Sequence, residues 1–157
     1  MPIISTDRLY DQQSRVREIR NLQVEIDVLN SKLSSPGSVH LTDMPKSQNR
    51  FDKTGMLISK KIAKENRLNL LTNEALAEET VLKDVIERIA DLPTKNREVS
   101  CTIYQDLLTY HFLYDISMKE VLDYMGVDEL ADNYDSQLRL LYQRRYEALI
   151  KFERCQN

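Results

Sequence analysis

The side chains best suited to bond-making chemistry are few and scattered. Two histidines, His40 and His111, and two cysteines, Cys101 and Cys155, are all that the 157 residues hold. No pair of them has the spacing of a CxxC unit or of an HExxH helix. A glycine-rich phosphate loop and a GxSxG nucleophile turn are also absent, and only three glycines are available to build one. A metal site would need carboxylates, and no DxDxDG loop occurs. The expectation is therefore no catalytic centre, no cofactor and no resident metal. Two cysteines are too few for a disulfide scaffold and read as incidental thiols of a reducing compartment.

The charged residues carry more pattern. Overall, 22 Lys+Arg stand against 25 Asp+Glu, for a net charge of −3. Between Lys46 and Arg67 the balance is locally the other way. Lys46, Arg50, Lys53, Lys60, Lys61, Lys64 and Arg67 outnumber Asp52 and Glu65. Such a cluster suits a phosphate backbone or an acidic partner, and equally a solvated loop and helix start. From Lys95 onward there are eight basic and eleven acidic residues. Four of the acidic ones, Asp128, Glu129, Asp132 and Asp135, fall within one short stretch.

The elements that must position these groups read as all-α. Glycine and proline are rare, tryptophan is absent, and helix formers are common. No run of eighteen apolar residues exists, so no membrane span is expected, and the first ten residues lack the apolar core of a signal peptide. The expected setting is the cytoplasm.

The chain divides into an N-terminal helical arm, 1–93, and a C-terminal unit, 94–157. Asp7 to Ser34 contains neither Gly nor Pro. Within it Ile19, Leu22, Ile26, Leu29 and Leu33 recur at 3-4-3-4 spacing, a seam about two heptads long. Such a seam packs on a helix of the same chain or on a second chain; the spacing does not choose. Pro36 and Gly37 stop the helix, and a linker over 34–54 follows. A second long helix is expected from about Thr54 to Asp91. It carries Leu68, Leu71 and Ala75, then Leu82, Val85, Ile89 and Leu92, with Glu78 and Glu79 interrupting the stripe. Pro93 ends it.

In the C-terminal unit a helix over Glu98–Tyr114 would bury Ile103, Leu107, Leu108 and Phe112. Ser117-Met118-Lys119-Glu120 has the form of a capping box, opening a short helix to Met125. Val121, Leu122 and Met125 would face inward, and Gly126 would cap the end. A long helix then runs from about Asn133 to Arg154, with Leu138, Leu141, Tyr142, Leu149 and Phe152 on its buried face. This order, helix, capped helix, glycine turn, long helix, is that of a helix-turn-helix unit.

Three stretches carry a resemblance to a known family. They are Met44-Pro45 followed by Asp52-Lys53-Thr54-Gly55; Tyr104-Gln105-Asp106-Leu107-Leu108 through Ser117–Val121 to Met125-Gly126; and Leu141-Tyr142 through Ala148–Phe152. The chain resembles the phage and prophage proteins of Gram-positive bacteria related to the RinA and ArpU late-gene transcription regulators. The resemblance implies a C-terminal helix-turn-helix like region 4 of sigma factors. The family pattern has Arg where His111 stands, Gly where Asp115 stands and Trp where Met118 stands. Its connection into the last helix is also shorter.

Two functional readings follow from the resemblance. In the first, the protein binds promoter DNA as a dimer through Gln137, Arg139, Gln143, Arg144 and Arg145, with Lys46, Arg50 and Lys53 adding phosphate contacts. It would then recruit host RNA polymerase to late phage genes. In the second, the fold is kept and DNA binding is lost. The protein would act on RNA polymerase or a related phage regulator, and Asp128, Glu129, Asp132 and Asp135 would form an interaction surface or a DNA mimic. A structural helical-bundle role is the third reading.

Overall fold

The computed structural model describes residues 3–35, 53–92, 100–130 and 132–156. Five α-helices are present among them: α1 (Asp7–Ser34), α2 (Lys53–Glu87), α3 (Cys101–Leu108), α4 (Met118–Tyr124) and α5 (Tyr134–Arg154). No strand occurs among the described residues, so the fold class is all-α. A 3₁₀ turn, Arg88–Asp91, closes α2, and a π-helical turn, Thr109–Leu113, extends α3. Most of the predicted linker lies outside the described residues.

The chain forms two compact units. Unit 1 comprises residues 1–17 and 74–157, and unit 2 residues 18–73. This division departs from a cut at residue 93, and the apolar stripes explain why. Leu9 of α1 and Leu82, Val85 and Ile86 of α2 join Ile89, Tyr104, Leu108, Phe112, Leu113, Ala148 and Phe152 in one buried cluster. The start of α1 and the end of α2 are thus core elements of the C-terminal unit.

In unit 2 the two long helices lie antiparallel. Glu18 pairs with Arg67 at 3.2 Å, and Glu25, further along α1, pairs with Lys64, earlier on α2. Ile26 and Leu29 are buried, and Ile19, Leu22 and Leu33 are half-buried. Leu71 of α2 is buried as well. Two residues of the predicted seam are thus buried within the chain, and three are partly open.

In unit 1 the polar interruption of the α2 stripe is filled by α1. Arg8 clamps Glu78 with two hydrogen bonds of 2.7 Å, and Glu79 turns to Lys83 at 2.6 Å. Gln12 is fully buried. Its amide donates to the Ala75 carbonyl at 3.0 Å, and its oxygen accepts from Arg15 at 2.8 Å. A buried amide satisfied on both sides avoids the desolvation penalty that an orphaned one carries. Gln105 reaches from α3 to the Ile86 and Glu87 carbonyls, where α2 passes into its closing 3₁₀ turn.

Helix contents follow the predicted stripes with specific departures. Tyr104, Leu113, Ile86 and Ala148 are buried beside the expected residues. Met125 and Tyr142, expected inside, are exposed. Met125 is already the C-cap of α4, where the helical register ends. Tyr142 follows the buried Leu141, about 100° further round the helix.

Candidate interaction surface of the C-terminal helices

A second buried cluster holds α3, α4 and α5 together. Leu107, Met118, Val121, Leu122 and Leu141 form it, with Ile116, Val127, Tyr134 and Leu138 packed around. Its sequence devices are local. The Ser117 hydroxyl accepts from the Glu120 N–H at 3.3 Å, and the Glu120 carboxylate accepts from the Ser117 N–H at 3.0 Å. This is the expected capping box, and it fixes where α4 begins. At the other end Val127 N–H donates to the Leu122 carbonyl and Gly126 N–H to the Asp123 carbonyl. Those two bonds form a Schellman motif, which needs a left-handed residue, and Gly126 supplies it at φ 82°.

The entry to α4 is shaped by a second left-handed residue. Asp115 sits at φ 50°, a conformation in which glycine meets no steric cost and Asp or Asn are the next best tolerated. Arg17 holds the Asp115 carboxylate with bonds of 2.7 and 3.2 Å. The Asp115 side chain is only 7% exposed.

His111 is fixed by what its ring meets. Its Nδ1 lies 2.8 Å from the Ile116 carbonyl oxygen, so Nδ1 must carry the proton. Nε2 is then the acceptor that faces the Arg145 guanidinium at 3.3 Å. Burial holds the His111 pKa below its usual value, and Arg145 adds to that against the opposing pull of the Ile116 carbonyl. Arg145 also lies over the Tyr142 ring, 5.7 Å from its centroid.

The predicted DNA-reading residues are thus not equivalent. Arg145 is half-buried and engaged with His111, and Gln143 is exposed and bonded to Glu147 at 3.4 Å. Arg144 and Gln137 are half-buried, and Arg139 is exposed. Arg139 makes no ion pair among the described residues. Lys53 is exposed at the first residue of α2, in unit 2. Lys46 and Arg50 lie outside the described residues.

The start of α5 is acidic. Residues 125–133, nine in all, separate α4 from α5, where a helix-turn-helix ordinarily has a turn of about three or four. Asp123, Asp128, Glu129, Asp132 and Asp135 are all exposed around this connection, and none is ion-paired among the described residues. Burial of the hydroxyl raises the Tyr134 pKa, and Glu129, Asp123 and Asp135 raise it further. Asp123, Gly126, Val127, Asp128, Glu129 and Leu130 line one open concavity of about 650 Å³.

Two features of this surface are not evident from helical periodicity. Leu130 is 90% exposed and Tyr124 is 71% exposed. Tyr124 stacks on Tyr110, with ring centroids 5.8 Å apart and planes 17° from parallel. The connecting segment follows neither a helix nor a strand period, so no pattern in the sequence assigns Leu130 a face.

Among the described residues no three His, Cys, Asp or Glu side chains converge to hold a metal ion, and no helix is long and apolar enough to cross a membrane. No family model, curated protein or solved structure matches this chain.

Proposed function

We propose that this chain is a transcription regulator carried by a phage or related mobile element. In this reading its α3–α5 assembly works in the host cytoplasm through protein contact, on RNA polymerase or a related regulator. The observation that carries the protein-contact reading is the set of exposed carboxylates, without ion pairs among the described residues, that runs from the end of α4 to the start of α5. A recognition helix presents its first turns to base edges and phosphates, and Asp123, Asp128, Glu129, Asp132 and Asp135 would be repelled there. Arg145, one of the residues such a helix would use, is already spent on His111.

The regulator reading itself is supported by local geometry that agrees with the resemblance. The capping box opens α4, and Gly126 closes it in the left-handed conformation. Asp115 adopts the backbone region in which the family pattern carries glycine.

Fluorescence anisotropy against pooled phage promoter duplex and random duplex, at low and physiological salt, tests the choice. The expected outcome is no sequence-dependent binding, with retention of purified RNA polymerase by the immobilised chain. The DNA-reading alternative rests on Arg139, exposed on α5 beside Gln143. Tight, sequence-dependent binding with a steep salt slope, weakened by Arg139→Ala, would establish it and overturn the protein-contact reading.

A further inference from the structure

We infer that the surface formed by Tyr110, Tyr124 and Leu130 with the acidic connection into α5 docks an arginine-rich segment of a partner protein. The inference rests on the protein-contact reading and names the chemistry of what is contacted.

Exposed apolar and aromatic groups coincide here with uncompensated charge. Tyr124, Met125 and Leu130 are exposed within seven residues, and Tyr110 stacks on Tyr124 from the neighbouring π-helical turn. Leu130, 90% exposed, gains no burial in the free chain, and it lies close in sequence to the stacked tyrosine pair and to the carboxylates.

Charge complementarity selects the occupant. Five other carboxylates of unit 1 find cations: Glu78 with Arg8, Glu74 with Arg15, Asp115 with Arg17, Glu79 with Lys83 and Asp84 with Arg88. The five carboxylates around residues 123–135 have no such partners among the described residues. Three tyrosine rings of the chain carry a cation of their own. Lys83, Arg145 and Lys151 lie over Tyr114, Tyr142 and Tyr104 at 5.5, 5.7 and 5.0 Å. No cation of the described chain covers Tyr110 or Tyr124.

Arginine satisfies both halves of the surface. Its flat guanidinium stacks on an aromatic face while its N–H groups bind carboxylates in pairs. Lysine offers only a point charge and no planar face. The open concavity beneath Leu130, lined by Asp123, Asp128 and Glu129, gives the aliphatic stem of such a residue an apolar wall and its head a negative one.

The test uses the full chain and fluorescein-labelled nona-arginine and nona-lysine peptides, read by anisotropy at low and physiological salt. The expected result is tighter binding of nona-arginine. Replacing Asp128→Asn, Glu129→Gln and Asp132→Asn together should weaken it about tenfold or more, by removing the complementary field. Tyr124→Ala should weaken nona-arginine about threefold and nona-lysine less, since the stacked guanidinium is what it removes. Asn at 128 keeps the oxygen that accepts from the Leu130 N–H, so the connection retains its local bond. Asp11→Asn with Asp27→Asn removes exposed charge on α1 and should leave binding unchanged.

Equal loss in the α1 control, equal affinity for both peptides, or no binding would overturn the inference. So would a concentration-dependent dimer in sedimentation equilibrium that the triple substitution dissolves, because the occupant would then be a second copy. The DNA titration is independent. Specific promoter binding alongside arginine binding mapped here would remove the protein-contact reading and leave this surface standing.

Discussion

Replacing Phe112 by alanine tests whether unit 1 has one core spanning both ends of the chain. The ring is fully buried. It meets Tyr10 of α1 edge-on, 5.1 Å between centroids at 86°, and the His111 ring at 4.9 Å. Its cluster includes Leu9 from α1, Leu82 from α2, and Ala148 and Phe152 from α5. Truncating a buried phenylalanine costs about 3–5 kcal/mol, part transfer and part cavity. Edge-to-face pairing contributes roughly 0.5–1.5 kcal/mol beyond area. The walls of this cavity belong to separate helices, each held by its own further contacts, so collapse into it is limited. We expect about 4 kcal/mol, in the upper part of that range. At about 2–4 °C per kcal/mol for a chain of this size, Tm should fall by roughly 8–16 °C. Thermal and urea unfolding followed by circular dichroism at 222 nm reads both quantities. Val24→Ala, an exposed position on α1, serves as the reference and should stay within about 0.5 kcal/mol. A loss for Phe112→Ala below about 1 kcal/mol would show that α1 and α5 do not share this core, whatever the other contacts suggest.

Three further outcomes follow from the same geometry. Gly126→Ala meets no atom within 4 Å, so its cost should be that of the left-handed backbone alone, about 1–2 kcal/mol, read in urea unfolding; a neutral substitution would contradict the Schellman geometry. Gln12→Ala removes a buried amide together with its bonds to the Ala75 carbonyl and Arg15, and should cost about 1–3 kcal/mol. A Tm unchanged by that substitution would mean the amide is not enclosed. For His111 the folded pKa lies below the ordinary value of 6.5, so in that window the unfolded chain holds more protons. Stability should therefore fall as pH drops through 6.5 and recover above it, and His111→Gln should flatten this part of the Tm–pH curve. A steeper slope in the substituted chain would refute the assignment of a neutral, Nδ1-protonated ring.

Much of the fold is legible in the residues because it depends on local rules. The capping box at Ser117 and Glu120 needs only two side chains three apart. Gly126 is readable as a helix stop because no other residue takes its backbone conformation as cheaply. The stripe Leu82, Val85, Ile89 is buried as its spacing predicts. Gln12 was readable in principle: it stands three after Leu9 and four before Val16, on the inward face. Its polarity hides it, since a pattern of apolar residues cannot say which amide finds a carbonyl. His111 and Arg145 are far apart in sequence, and nothing in their spacing brings the imidazole to the guanidinium.

By itself, then, the sequence determines the helices, their caps and the faces they bury, because 3.6-residue periodicity and capping chemistry act over a few residues. Only the tertiary structure decides how those faces combine. It sends the start of α1 and the end of α2 into the core of the C-terminal helices, since Leu9, Leu82 and Ile89 complete an apolar cluster that α3 and α5 leave open. It also decides which charges remain uncompensated. Ion pairing is settled by proximity across elements, and α1 and α2 bring cations to Glu78, Glu79 and Asp115 but none to the carboxylates before α5.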